Sequence, residues 1–104
     1  IDVVWCQDDD MAVGVLQAIE QSGRTDIKYV VAGAGSKDMI KKVMDGDKMI
    51  PVDVLYPPAM VGTAMELTAA AIYDQVPVRG TYVLDATLVT KDNAKEYYFP
   101  DSPF

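Results

Sequence analysis

The feature that most constrains this chain is a rhythm. Short apolar runs alternate with longer stretches in which apolar residues return every third or fourth position. Residues 3–6, 28–32 and 49–55 form runs of the first kind and read as buried strands. Residues 11–21 place Met11, Val15 and Ile19 four apart with Ala12 and Leu16 beside them, a helical spacing. Residues 37–44 turn Met39, Ile40, Val43 and Met44 to one side. Residues 58–73 carry Met60, Ala64, Leu67 and Ala71 on one face and Val61, Met65, Thr68 and Ile72 on another. A helix apolar over that much of its circumference calls for cover on more than one side. Residues 81–84 and 87–89 read as a fourth strand broken around Asp85 and Ala86, and Thr90 as the cap of a short helix over 91–97. Strand and helix thus alternate as β-α-β-α-β-α-β. That order predicts an α/β fold, a parallel sheet with right-handed crossovers and helices on its faces.

The punctuation agrees with the rhythm. Asp8, Asp9 and Asp10 stand where the first helix begins; one can cap it and the others favour the positive end of its dipole. Gly23 and Gly46 stand where helices stop, and Ser36 can cap the second helix. Tyr56-Pro57-Pro58 ends the third strand. The tail, residues 99–104, holds two prolines and reads as an extended segment over a surface.

Composition narrows the chemistry. At 104 residues the chain can bury one core. Its formal net charge of −7 opposes phosphate backbones and anionic membrane, which argues against nucleic-acid binding. It has no histidine and a single cysteine, Cys6, so Ser-His-Asp and Cys-His catalysis and His-ligated metals are excluded within it, as is an internal disulfide. No apolar run approaches the ~18 residues of a membrane helix. The chain opens at Ile1 directly into a strand-like run, which reads as a start inside a larger protein.

In open parallel sheets, ligands bind beyond the carboxyl ends of the strands. Three loops follow strands here: residues 7–10, 33–36 and 55–58. The fold therefore predicts that they share one rim. Asp8 is the sharpest candidate there, because a carboxylate accepts charge-assisted hydrogen bonds from ligand hydroxyls; capping is the alternative for it and for its neighbours. Mg²⁺ is a further alternative, although adjacent aspartates on one helical turn point apart. Gly33-Ala34-Gly35 can be a phosphate cradle or a tight turn, and it lacks the Lys-Ser/Thr pair of a P-loop. Trp5 reads as a core residue, with stacking on a sugar as the alternative. Tyr56 can hydrogen-bond a ligand or anchor a turn.

These residues carry a resemblance. Residues 3–14, with Gln7-Asp8-Asp9-Asp10-Met11-Ala12 and Gly14, resemble the acidic strand-to-helix segment of periplasmic sugar-binding proteins of the ribose-binding type, the substrate-capture components of ABC importers. Residues 30–38 are similar to that family's next strand and loop, Met44-Asp45-Gly46-Asp47 to its helix-ending turn, Tyr56-Pro57-Pro58 with Gly62 to a hinge crossing, and residues 85–93 to the last hinge strand. The resemblance implies a partial, carboxy-terminal lobe of a type I periplasmic-binding-protein fold. By it, residues 1–55 belong to the carboxy-terminal lobe, 56–80 to a hinge crossing and a helix that packs on the amino-terminal lobe, and 81–104 to the last hinge strand and tail. It makes Asp8, Tyr56 and Ala34 ligand-binding positions. At Ala34 relatives often carry an aspartate, so either the hydroxyl pattern of the sugar differs here or Asp8 and the neighbouring loops compensate. The implied protein is not an enzyme and needs no cofactor or metal. Its partners are a small sugar, a membrane permease and the absent amino-terminal lobe, with self-association of the orphaned helix, and its place is the periplasm. The rival readings are the effector domain of a LacI-like regulator and a Mg²⁺-dependent phosphoryl-transfer domain built on Asp8 to Asp10.

Overall fold

The computed structural model describes residues 1–56, 58–73 and 77–104. The elements follow in the order β1 (Val3–Trp5), α1 (Asp9–Ser22), β2 (Tyr29–Ala34), α2 (Lys37–Asp45), β3 (Val52–Leu55), α3 (Met60–Ile72), β4 (Thr87–Thr90) and α4 (Ala94–Tyr97). The sheet is ordered β1-β2-β3-β4. β1 runs parallel to β2 with Val4 opposite Val30, and β2 runs parallel to β3 with Ala32 opposite Asp53.

The fourth strand departs from the all-parallel expectation. β4 pairs with β3 antiparallel, with Thr87 opposite Leu55 and Thr90 opposite Val52. A parallel strand needs a connection that crosses back over the sheet to its starting edge. The chain between β3 and β4 instead leaves at the Leu55 end and re-enters at that same end. Residues 81–84, expected as strand, form no regular element, so the fourth strand is β4 alone.

The helices pack on one face of the sheet, among the described residues, rather than on both. The side chains that alternate toward that face are buried: Cys6, Val30, Ala32, Val89 and, from the helices, Ala12, Met39, Ile40, Val43 and Ala94. The side chains of the other parity, Val3, Trp5, Tyr29 and Leu88, are exposed. Trp5 is 66% exposed, which overturns its expected place in the core. Period 2 puts it on the face that the helices do not cover.

Local signals at the helix ends act as the sequence implies. Gly23 (φ 64°) and Gly46 (φ 78°) close α1 and α2 in the left-handed region, and Ser36 Oγ accepts from Met39 N at the start of α2. The last helix is shorter than expected. Asn93, not Thr90, locks its entry: Asn93 Oδ1 accepts from Thr90 N at 2.7 Å and its Nδ2 donates to Leu88 O at 3.1 Å. α3 has no buried residue, and Val61, Met65 and Ile72 are exposed. The chain is accordingly elongated, 58 × 28 × 22 Å. Of the expected hinge crossing, Pro57 lies outside the described residues, as do 74–76 of the loop after α3.

Candidate functional site

The three loops after β1, β2 and β3 meet at one rim. Two contacts tie them together. The Tyr56 hydroxyl, just past β3, donates to Gln7 O, just past β1. Ser36 N, at the head of α2, donates to Asp9 Oδ2 at 2.6 Å. Gly33 lies between them so closely that a Cβ built on it would stand 3.3 Å from the Tyr56 ring, 3.5 Å from Val54 O and 3.6 Å from Gln7 O. The parallel pairing of β1, β2 and β3 is what brings these loops together, as strand order alone predicted.

The aspartate triplet divides its labour. Asp8 is the N-cap of α1, in extended conformation, and its Oδ1 accepts from Asp10 N at 2.9 Å. Its carboxylate is half-buried, so lone pairs remain for a ligand after the cap is made. Asp9, the first residue of α1, points inward and is buried, and Asp10 is exposed. Burial pushes the Asp9 carboxyl up, against the Ser36 N–H that favours its charged form. Both functional and capping readings of Asp8 are therefore physically compatible.

Ala34 is buried at the end of β2 and has φ 123°, a backbone conformation that alanine rarely adopts. It offers no side-chain hydrogen bond; only its backbone and that of Gly35 can serve the rim. The tight-turn reading of Gly33-Ala34-Gly35 is refined, since Gly33 and Ala34 are strand and the turn proper is Gly35 and Ser36. Tyr56 is 36% exposed, and burial, then the charges of Asp8, Asp9 and Asp53, push its phenol up. It is a proton-bearing hydroxyl that anchors a turn and keeps acceptor lone pairs.

Two further residues shape the rim. Lys37 donates from Nζ to Ser102 O and from its backbone N to Phe104 O, so the tail lies across the start of α2. A cleft of about 350 Å³ opens between Gly35, Leu55, Ala59, Phe99 and Phe104. Asp53, in the middle of β3, is fully buried. It was not singled out from sequence, although a lone carboxylate within Val52-Asp53-Val54-Leu55 breaks an apolar strand and alternation points it at the helices. Among the described residues, no group of three or more acidic, cysteine or histidine side chains could hold a metal ion. Asp8 to Asp10 form no such group: Asp8 caps α1, Asp9 is buried against Ser36 N and Asp10 is exposed.

Comparison with known proteins adds a separate line of support. No family model matches the chain. It is 31% identical over 98 residues to the galactofuranose-binding protein YtfQ of Escherichia coli, covering 92% of this chain and 30% of that protein. It is 32% identical over 91 residues to the ribose import binding protein RbsB of the same organism, covering 88% of this chain and 30% of that protein. A crystal structure of a galactofuranose binding protein superposes with a TM-score of 0.75 at 30% identity, covering 94% of this chain and 33% of the other. The chain therefore spans about a third of the length of these proteins.

Proposed function

Because this chain is homologous to a segment of the sugar-binding proteins of the ribose-import type, we propose that its rim binds a small sugar without changing it chemically, as one jaw of the substrate-capture component of an ABC importer. The observation that carries the reading is the convergence of the three post-strand loops, with the Asp8 carboxylate only partly used by its own helix. Asp8 accepts hydrogen bonds from sugar hydroxyls. Tyr56, whose proton is committed to Gln7 O, accepts one rather than donating. Ala34 contributes backbone alone, so the sugar is read at that point without a carboxylate.

The division of the chain follows the same reading. Residues 1–55 form part of the carboxy-terminal lobe, residues 56–80 pass through the hinge and supply a helix for the other lobe, and residues 81–104 return through the last hinge strand into the tail. Two features support it. β4 re-enters at the end where β3 left, as a segment that visits a second lobe must. α3 is apolar over much of its surface, and none of its residues is fully buried. The amino-terminal lobe covers α3 in the full-length protein, and without that lobe the helix drives self-association. In this reading a membrane permease is the downstream partner and the periplasm the compartment.

Titration calorimetry tests the reading. The full-length polypeptide carrying this segment is titrated with a panel of pentoses and hexoses and with Mg²⁺. The expected result is saturable binding of one sugar class, weakened at least tenfold by Asp8→Ala. Binding of Mg²⁺ with no response to any sugar would overturn it in favour of the phosphoryl-transfer reading.

A further inference from the structure

Tyr56 and Asp8 reach the rim from different strands, yet one contact makes the placement of the second depend on the first. The Tyr56 hydroxyl donates to the carbonyl of Gln7, the residue before Asp8. The strand ladder reaches Cys6, whose N donates to Val31 O, and the first helical bond runs from Ala12 N to Asp8 O. Gln7 stands between the two. Among the described residues, no backbone N–H donates to its carbonyl. A backbone carbonyl left out of both ladders needs a partner from elsewhere, and the phenol supplies it.

The phenol has a seat that only a bare backbone provides. Gly33 pairs with Val54 in the register of β2 and β3. A Cβ built on Gly33 would stand 3.3 Å from the edge of the Tyr56 ring and 3.6 Å from Gln7 O. The first distance lies inside the ~3.5–4.0 Å at which carbon atoms rest, so a side chain at this position would press on the ring. Burial, then the charges of Asp8, Asp9 and Asp53, push the phenol up, so at neutral pH it keeps the proton that it donates.

One other contact holds the start of α1, from Ser36 N to Asp9 Oδ2. It grips the residue after the cap, whereas Tyr56 grips the residue before it. Asp8 is thus held from both sides, and the side of Gln7 depends on a single hydroxyl. Tyr56 is also where the chain leaves β3 on its way to α3, so the same contact ties the Asp8 loop to the start of that excursion.

We propose that Tyr56, seated on Gly33, is a positioning residue for Asp8: by pinning Gln7 O it fixes where the Asp8 carboxylate stands, and it sets sugar affinity through Asp8 beyond any contact of its own. The effect on affinity rests on the sugar-binding reading; the pinning needs no ligand. A loop that is already ordered does not have to be ordered when the sugar arrives. One hydrogen bond of this kind shifts an equilibrium by roughly three- to tenfold, and sugar affinity falls by about that factor when the pin is removed.

Tyr56→Phe is the test, because it keeps the ring on Gly33 and removes only the O–H. In the ligand-free full-length polypeptide carrying this segment, backbone nitrogen relaxation is measured at Gln7 and Asp8. The expected order parameters are near the ~0.85 of rigid backbone in wild type and fall toward ~0.6 in Tyr56→Phe, while those of Val30 and Ile40 in the core stay unchanged. Calorimetry then compares wild type, Tyr56→Phe, Asp8→Ala and the double variant, using whichever of D-ribose, D-galactose and D-glucose binds most tightly. Tyr56→Phe is expected to weaken binding about three- to tenfold in wild type and less than about twofold in Asp8→Ala, since a pin has nothing left to position there. Weakening of the same size in both backgrounds would overturn the proposal and leave Tyr56 as a direct contact alone. Unchanged order parameters at Gln7 and Asp8 would overturn it whatever the sugar does. Failure of wild type to bind any sugar counts against the sugar-binding reading instead, and the relaxation measurement then decides the pinning by itself.

Discussion

Gly35→Ala isolates the close approach on which the rim is built. Gly35 has φ 92°, and a Cβ built on it would stand 2.1 Å from Leu55 Cδ1, 3.3 Å from Cγ and 3.5 Å from Cβ. Carbon atoms rest at about 3.5–4.0 Å, so the Leu55 side chain must move by roughly 1.5 Å out of its seat. Left-handed backbone costs a non-glycine residue about 1–2 kcal/mol. Overpacking adds about 1–3 kcal/mol. The expected loss is the sum, about 2–5 kcal/mol, a large part of the ~5–15 kcal/mol that holds a domain folded. Urea unfolding of the chain reads it as a midpoint lowered by roughly 1–2.5 M, taking a slope of about 2 kcal/mol per M. The reciprocal change, Ala34→Gly, is the internal control. It releases about 1–2 kcal/mol of strain at φ 123° but gives back about 0.5–1 kcal/mol in chain entropy and about 0.8 kcal/mol for the buried methyl, so it is neutral to within about 1 kcal/mol. A Gly35→Ala loss below about 0.5 kcal/mol, or an Ala34→Gly loss equal to it, would refute the geometry assigned to this turn.

Other substitutions probe the remaining parts. Asp8→Ala removes the α1 cap and costs about 1 kcal/mol by thermal unfolding, while Asp8→Asn keeps the cap and stays within a few tenths. Ile40→Ala empties a fully buried site between α2 and the sheet and lowers stability by about 2–5 kcal/mol in urea. Gly14→Ala, in the exposed middle of α1 with nothing near its Cβ, raises stability by about 0.5–1 kcal/mol in the same assay. Met65→Lys with Ile72→Lys breaks the apolar face of α3; light scattering of the chain at high concentration is expected to show a smaller species than wild type.

Much of this molecule is legible in its sequence because its local signals agree. The periods of residues 11–21 and 37–44, the caps at Asp8 and Ser36 and the stops at Gly23 and Gly46 all concern neighbours a few residues apart. The parallel pairing of β1, β2 and β3 and the meeting of their loops follow from strand and helix alternation. What escaped depends on distant events. The direction of β4 depends on where the excursion through α3 returns. Trp5 looked like a core residue because its strand is apolar on both faces, and only the one-sided helix layer shows which face is covered. Asp53 is buried through the register of β3, and Asp9 through the inward turn of one residue in the acidic triplet. A shift of one position separates the capping Asp8 from the buried Asp9, and no composition rule resolves that. The resemblance to sugar-binding proteins rested on the acidic turn at residues 7–14 and on the order of these elements, and the relatives found by comparison agree with it.

A crystal structure of the full-length polypeptide, soaked with the sugar that calorimetry selects, puts the greatest strain on the functional reading. A sugar hydroxyl within hydrogen-bond distance of the Asp8 carboxylate, with the ring lying over Gly35 and Tyr56, is the expected result. A sugar seated elsewhere, with Asp8 bonded only to Asp10 N, would contradict it.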